Sequence, residues 1–190
     1  MLKAEPKDKS TVVDILTKAF NENRSFNSII KQDKNRVKRI RKVFEYYFDV
    51  CSKSGLVYLS DDKKACAVVS FPDQLKVTFK SILMDIRLLF LLGFKSVRLG
   101  VRREAKINKV HPESNFYYLL FIGVDPDFQY QGIGSKLLKE LITDSKLLGR
   151  PVYLETYLEK NITLYQRFGF TIYKELDCGF PLFCMKREFI

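Results

Sequence analysis

Apolar positions recur along this chain at two spacings, and in one place they run without interruption. At helical spacing, Val12, Val13, Ile15, Leu16, Ala19 and Phe20 follow Asp8-Lys9-Ser10, which predicts a first helix closed by Asn21-Glu22-Asn23. The same spacing at Val37, Ile40, Val43, Phe44, Tyr47, Phe48 and Val50 predicts a second helix over roughly Asp33 to Cys51, with those side chains inward. Leu2 to Glu5 reads as a short first strand. Leu56–Leu59 and Ala65–Phe71 read as a hairpin around Asp61-Asp62-Lys63-Lys64. Leu75 to Leu92 reads as an apolar helix and Val97 to Val110 as a basic helix or loop.

The uninterrupted run is Phe116 to Val124. It is too short for a good helix and has no polar alternation, so it predicts a central strand covered on both faces. Asp125-Pro126 stops it, because proline donates nothing to a ladder. From Ile133, the residues Leu137, Leu138, Leu141, Ile142 and Leu148 predict an amphipathic helix that ends at Gly149-Arg150-Pro151. Val152–Thr156 reads as a strand and Asn161–Phe168 as a short helix stopped by Gly169. Phe170–Glu175 and Phe180–Lys186 read as terminal strands. The order is that of a mixed α/β protein, and neither a repeat nor a Gly/Ser/Pro linker divides it.

Between central strand and helix lies Gln129-Tyr130-Gln131-Gly132-Ile133-Gly134-Ser135. Two glycines at a helix mouth let a ligand approach bare backbone, and the first-turn amides there have no partner inside the helix, so the place favours an anion such as a phosphate. No Gly-Lys-Ser/Thr follows, and the third glycine of a dinucleotide fingerprint is missing.

This segment, Gly123-Val124-Asp125-Pro126 through Gln129-x-x-Gly132-x-Gly134-Ser135-x-Leu137-Leu138, resembles the acyl-CoA-binding motif of the GNAT N-acetyltransferase superfamily. Tyr153-Leu154-Glu155-Thr156, then Asn161-x-x-x-Tyr165-x-x-x-Gly169-Phe170, is similar to the second half of the superfamily pattern. The order of elements resembles that family from end to end. The helix-rich stretch after the hairpin and the His111-Pro112 lead-in look like the branch of antibiotic-type, small-molecule acetyltransferases, although that stretch carries no motif that aligns residue by residue.

The resemblance implies a mixed, mostly antiparallel sheet of about seven strands flanked by helices, the acyl-CoA N-acyltransferase fold. It implies a single domain over 1–190 with a helical insertion at about 75–110. Acetyl-CoA is then the cosubstrate, no metal is needed, and the acceptor is an amine-bearing small molecule. Backbone of Ile122, Gly123 and Val124 would meet the pantetheine arm if the strand leaves its neighbour there, with Gly123 read as a bulge. The amides from Tyr130 to Ser135 would hold the pyrophosphate. Asn161 and Tyr165, four apart on one helix face, would reach the same ligand, Asn161 as a CoA contact and Tyr165 as general acid. Glu155 is the first choice for the base, directly or through a water, with a structural carboxylate as the other reading.

Composition changes this picture little. Among 190 residues, 46% are hydrophobic and 29% charged, as in a globular protein. Met1-Leu2-Lys3-Ala4-Glu5-Pro6 leads into Lys7, Asp8 and Lys9 rather than an apolar run, and Ile82–Phe94 carries Asp85 and Arg87 and is too short to cross a bilayer. The expectation is a cytoplasmic protein with no membrane partner; a homodimer is allowed for. Cys51, Cys66, Cys178 and Cys184 form no CxxC pair, so free thiols are expected. His111, the one histidine, reads as a loop residue rather than a base. The formal charge of +11 is clustered at Lys34, Arg36, Lys38, Arg39, Arg41 and Lys42, and again at Arg98, Arg102, Arg103, Lys106 and Lys109. These read as solvated helix faces, because no interleaved aromatic platform accompanies them. The alternative is a catalytically weak acyl-CoA-binding or nucleic-acid-binding module that uses those helices.

Overall fold

The computed structural model describes residues 1–75, 86, 89, 91–111 and 115–188. Seven strands form one sheet: β1 (Leu2–Lys3), β2 (Gly55–Leu59), β3 (Ala65–Ser70), β4 (Tyr117–Val124), β5 (Val152–Thr156), β6 (Thr171–Asp177) and β7 (Pro181–Arg187). Their spatial order is β1-β2-β3-β4-β5-β7-β6, and every neighbouring pair is antiparallel except β4 with β5. The described helices are α1 (Lys9–Ala19), α2 (Arg24–Asn27), α3 (Arg36–Ser54), α4 (Phe94–Asn108), α5 (Ile133–Leu147) and α6 (Glu159–Arg167).

Period-2 alternation in the strands feeds two cores. Val57, Leu59, Cys66 and Val68 join α1 and α3 on one face, in a cluster with Val12, Leu16, Ile40 and Phe44. Tyr58, Ala65, Ala67 and Val69 point the other way, to Leu137, Leu138 and Leu141 of α5. A strand covered on both faces shows no polar alternation, and β3 is buried at all six positions for that reason. Asp144, on the polar side of α5 in the sequence pattern, accepts hydrogen bonds from Tyr58 Oη at 2.9 Å and Tyr117 Oη at 3.1 Å, which ties the helix across β2 and β4.

Two expectations need correction. Val37 is 49% exposed, because the first turn of α3 is anchored by arginines rather than by apolar burial: Arg36 donates to Asn21 O at 2.6 Å, and Arg39 forks onto Asp33. The bulge in the central strand is not at Gly123, which pairs in register with Cys66; the register slips between Val68 and Val69, leaving Leu120 as the extra residue. Gly123 is needed for a different reason, since a Cβ there would sit 3.1 Å from Leu16 Cδ2 and 3.2 Å from Ala19 Cβ, where α1 crosses the sheet. Gly123→Val should therefore destabilise the fold by about 1–3 kcal/mol, the usual effect of overpacking. Calorimetric melting tests this, and an unchanged midpoint would mean that α1 does not lie so close. Finally, α2 was not foreseen. The helix expected over Leu75 to Leu92 lies mostly outside the described residues, and α4 fills the basic stretch that follows it.

The arginines of α3 and Lys42 are engaged within the molecule. Arg41 pairs with Asp14, Lys42 Nζ lies 2.6 Å from Glu45, and Arg39 holds the Asp33 carboxyl below the usual range, at about 2, chiefly by its hydrogen bond. No helix among the described residues is long and apolar enough to cross a membrane.

Candidate active site

The site begins where the sheet comes apart. β4 and β5 pair only at Tyr117 with Val152 and Tyr118 with Tyr153. Beyond them β4 keeps β3 on one edge and, among the described residues, has no strand on the other, and a cleft of about 1750 Å³ opens in the gap. Ile122, Gly123 and Val124 line this cleft with unpaired strand edge, as do Gln129, Tyr130, Gly132, Ile133, Gly134 and Ser135. Strand edges left without a neighbour offer N–H and C=O groups to an extended polar ligand.

The turn that follows is shaped by backbone conformation. Tyr130 has φ of 62° with its side chain 95% exposed, and Gly132 caps α5 with φ of 78°. Left-handed backbone is uncommon for a residue with a Cβ, and two such residues in three turn the chain sharply. No side chain caps the helix and its first turn has no acidic residue, so the leading amides remain for a ligand. A Cβ on Gly132 would meet nothing within 4 Å, whereas one on Gly134 would sit 3.0 Å from Val124 Cγ2. Gly134 thus lets the helix mouth close onto the end of β4, and Gly132 leaves open space in front of it. Gln129 Nε2 donates to Val124 O at 3.3 Å and bridges the turn back to the strand; Gln131 is exposed.

The opposite wall comes from β5 and α6. Asn161 Nδ2 approaches Thr156 Oγ1 at 3.5 Å, and Tyr165, on the same helix face, is 8% exposed and packs on Phe170. Burial pushes the Tyr165 hydroxyl up to about 12, and it has no hydrogen bond to a described residue. A protonated hydroxyl in the wall of a cleft is able to donate a proton to a ligand there.

Glu155 lies deeper, and its carboxylate is occupied. Tyr118 Oη donates to Oε2 at 2.5 Å, and His111 Nε2 stands 3.1 Å from Oε1. The His111 side chain is 6% exposed and its ring is boxed by Phe116, Tyr118 and Tyr153, with centroids 4.7, 5.2 and 5.7 Å away. Burial, then the Glu155 charge, pushes the Tyr118 hydroxyl well above its ordinary range, so it stays a donor. With Nε2–H given to Glu155, a neutral imidazole has its lone pair on Nδ1, which no described residue uses.

His111, read from the sequence as a loop residue, stands against Glu155 in the wall of the cleft. It follows a basic helix, 44 residues before Glu155, and no local pattern marks it. The only sign was that a lone histidine precedes the central strand. The structure brings Glu155, Asn161, Tyr165 and the glycine turn to one cleft, with one oxygen of Glu155 facing His111 and the other accepting from Tyr118. Burial keeps Cys51 and Cys66 as thiols, pushing Cys51 up to about 12 and Cys66 further.

Residues 97–172 match the family model described as acetyltransferase (GNAT) domain. The fold is shared with solved structures over nearly the whole chain. A Corynebacterium glutamicum protein described as histone acetyltransferase HPA2 and related acetyltransferase is 22% identical with a TM-score of 0.76, covering 98% of this chain and 94% of its own. An N-acetyltransferase from Staphylococcus aureus is 15% identical with a TM-score of 0.58, covering 97% of each. The PaiA N-acetyltransferase of Thermoplasma acidophilum, in complex with coenzyme A, is 13% identical with a TM-score of 0.58, covering 99% and 97%.

Proposed function

We propose, from the match of residues 97–172 to the GNAT acetyltransferase domain and from the shared fold, that this chain is an acetyl-CoA-dependent N-acetyltransferase that moves an acetyl group directly onto a primary amine of a small molecule. The observation that supports this reading is the meeting, in one cleft, of a ligand-free helix mouth, an unpaired strand edge, a proton acceptor at His111 and a proton donor at Tyr165.

Bound acetyl-CoA would supply an activated acetyl group and a thiolate leaving group. Amides of Tyr130 to Ser135 would hold its pyrophosphate at the mouth of α5, where unpaired N–H groups and the helix dipole favour an anion. The strand edge at Ile122 to Val124 would take the pantetheine arm, and an amide of that edge would polarise the acetyl carbonyl. Asn161 would position the same ligand from α6. His111 Nδ1 would accept the proton of the attacking amine, with Glu155 fixing the tautomer and stabilising the imidazolium, and Tyr118 fixing Glu155. Tyr165 would return a proton to the departing sulfur. Glu155 thus acts through His111 rather than as the base itself.

The proposed roles of the turn have a direct test. Gly132→Val places a β-branched residue at positive φ in front of the helix mouth, so acetyl-CoA affinity should fall by about tenfold or more, where each tenfold is about 1.4 kcal/mol. Titration calorimetry on the folded variant decides it, and unchanged affinity would remove the phosphate assignment. A thiol-release screen of acetyl-CoA against amines of varied size tests the activity itself. If acetyl-CoA binds and no amine is acetylated, the N-acetyltransferase reading is wrong. The arginines of α3 are paired internally, which counts against their use in the nucleic-acid alternative.

A further inference from the structure

The acceptor end of the cleft holds a charge that the chemistry above does not use. Arg103, on α4, lines the cleft, and its Nη1 donates to Ser25 O at 3.0 Å and Ser25 Oγ at 2.8 Å. Among the described residues no carboxylate pairs with it. Burial dominates the lowering of its proton affinity, and the groups near enough to be felt are Cys178, Tyr47 and Tyr118, none of them acidic at neutral pH. A guanidinium partly withdrawn from water without an ion-pair partner is costly to the free protein. Its geometry is also incomplete: with Nη1 anchored on Ser25, the edge formed by Nε and Nη2 keeps a parallel pair of N–H donors, which is the fork that matches a carboxylate.

The location matters as much as the charge. Tyr118 joins the two ends of the acceptor chamber, since its hydroxyl bonds Glu155, its ring stacks edge-on to His111 at 5.2 Å, and it is an electrostatic neighbour of Arg103. Aromatic rings of Phe26, Tyr47 and Phe121, with centroid separations of 4.9 Å for Tyr47–Phe121 and 5.8 Å for Phe26–Phe121, complete the wall. We propose that Arg103 is an anion-binding residue of the acceptor site, and that the acceptor is an amine carrying a carboxylate, of the amino-acid or peptide class, with its amine at His111 and its carboxylate on the free Arg103 edge. This rests on the acetyl-transfer reading above and names the substrate class for it.

The test uses acceptor pairs matched except for the carboxylate: phenylalanine with phenylethylamine, and norleucine with pentylamine. Thiol release by the wild-type protein should favour the carboxylate-bearing member of each pair in kcat/KM by about tenfold or more, as expected for charge-assisted bonds. Arg103→Gln should lower that ratio at least tenfold, and Arg103→Lys, which keeps the charge but not the fork, should lie between. If Arg103 only pins α4 to Ser25, both members should lose activity equally and the ratio should not move, which overturns the proposal. A wild-type preference for the plain amines, or reaction with plain amines alone, overturns it as well while leaving acetyl transfer intact. Failure to bind acetyl-CoA in calorimetry would instead remove the acetyl-transfer reading, and the acceptor assignment with it.

Discussion

Replacing His111 by alanine should lower kcat/KM for the amine acceptor by roughly 10²–10³-fold while leaving acetyl-CoA affinity within about twofold, because removal of a positioned general base typically costs about 10²–10⁴-fold. The reason lies in the arrangement around the ring. Glu155 is held by Tyr118 on one oxygen and faces Nε2 with the other, which leaves Nδ1 as the ring nitrogen that no described residue engages. The opposing account is that His111 merely fills a box of Phe116, Tyr118 and Tyr153. On that account the substitution leaves a cavity, costs about 2–4 kcal/mol of stability, and spares turnover by whatever fraction remains folded. Added imidazole separates the two, since it can enter the vacated box and restore turnover only if the ring does chemistry. A folded His111→Ala protein with wild-type kcat/KM would strike His111 from the site and return Glu155 to the structural role the sequence also allowed.

Tyr165→Phe is expected to reduce kcat by about 10²-fold, with acetyl-CoA affinity nearly unchanged, because the hydroxyl matters where the thiolate departs and little in the ground state. CoA thiolate is a fair leaving group, which places the effect at the low end of general-acid contributions. The high proton affinity of this hydroxyl, about 12, keeps the donor form fully populated through neutral and mildly alkaline pH, so Tyr165 adds no alkaline limb to the wild-type profile below pH 10. The same shift has a sign for stability: the folded pKa lies above the ordinary value of 10.0, so the unfolded chain releases this proton first, and the contribution is intact below pH 10 and lost as pH rises toward 12. If the ring only packs on Phe170, loss of the hydroxyl should change stability by about a kcal/mol and leave kcat alone. Measuring kcat, acetyl-CoA affinity and the melting midpoint on one preparation distinguishes these outcomes.

What the sequence determined by itself was everything that local periodicity and backbone chemistry encode. The apolar run of the central strand, the glycines and the amphipathic stripe of Leu137, Leu138 and Leu141 predict strand, turn and helix in place, because each depends on neighbours within a few residues. Asn161 and Tyr165 share a face for the same reason. The seven-stranded, mostly antiparallel sheet followed from the order of such elements and from the family resemblance. Only the tertiary structure decided what depends on distant residues meeting. That Val37 faces water follows from where Asn21 and Asp33 take the arginines of α3. That Gly123 is small follows from the path of α1 across the sheet, and that Leu120 is the bulge follows from the partner strand's register. The separation of β4 from β5 after two residue pairs opens the cleft, and no single-strand pattern records it. His111 shows the limit most clearly: the carboxylate it meets is 44 residues away, and three aromatic rings surround it only once β4 and β5 are side by side.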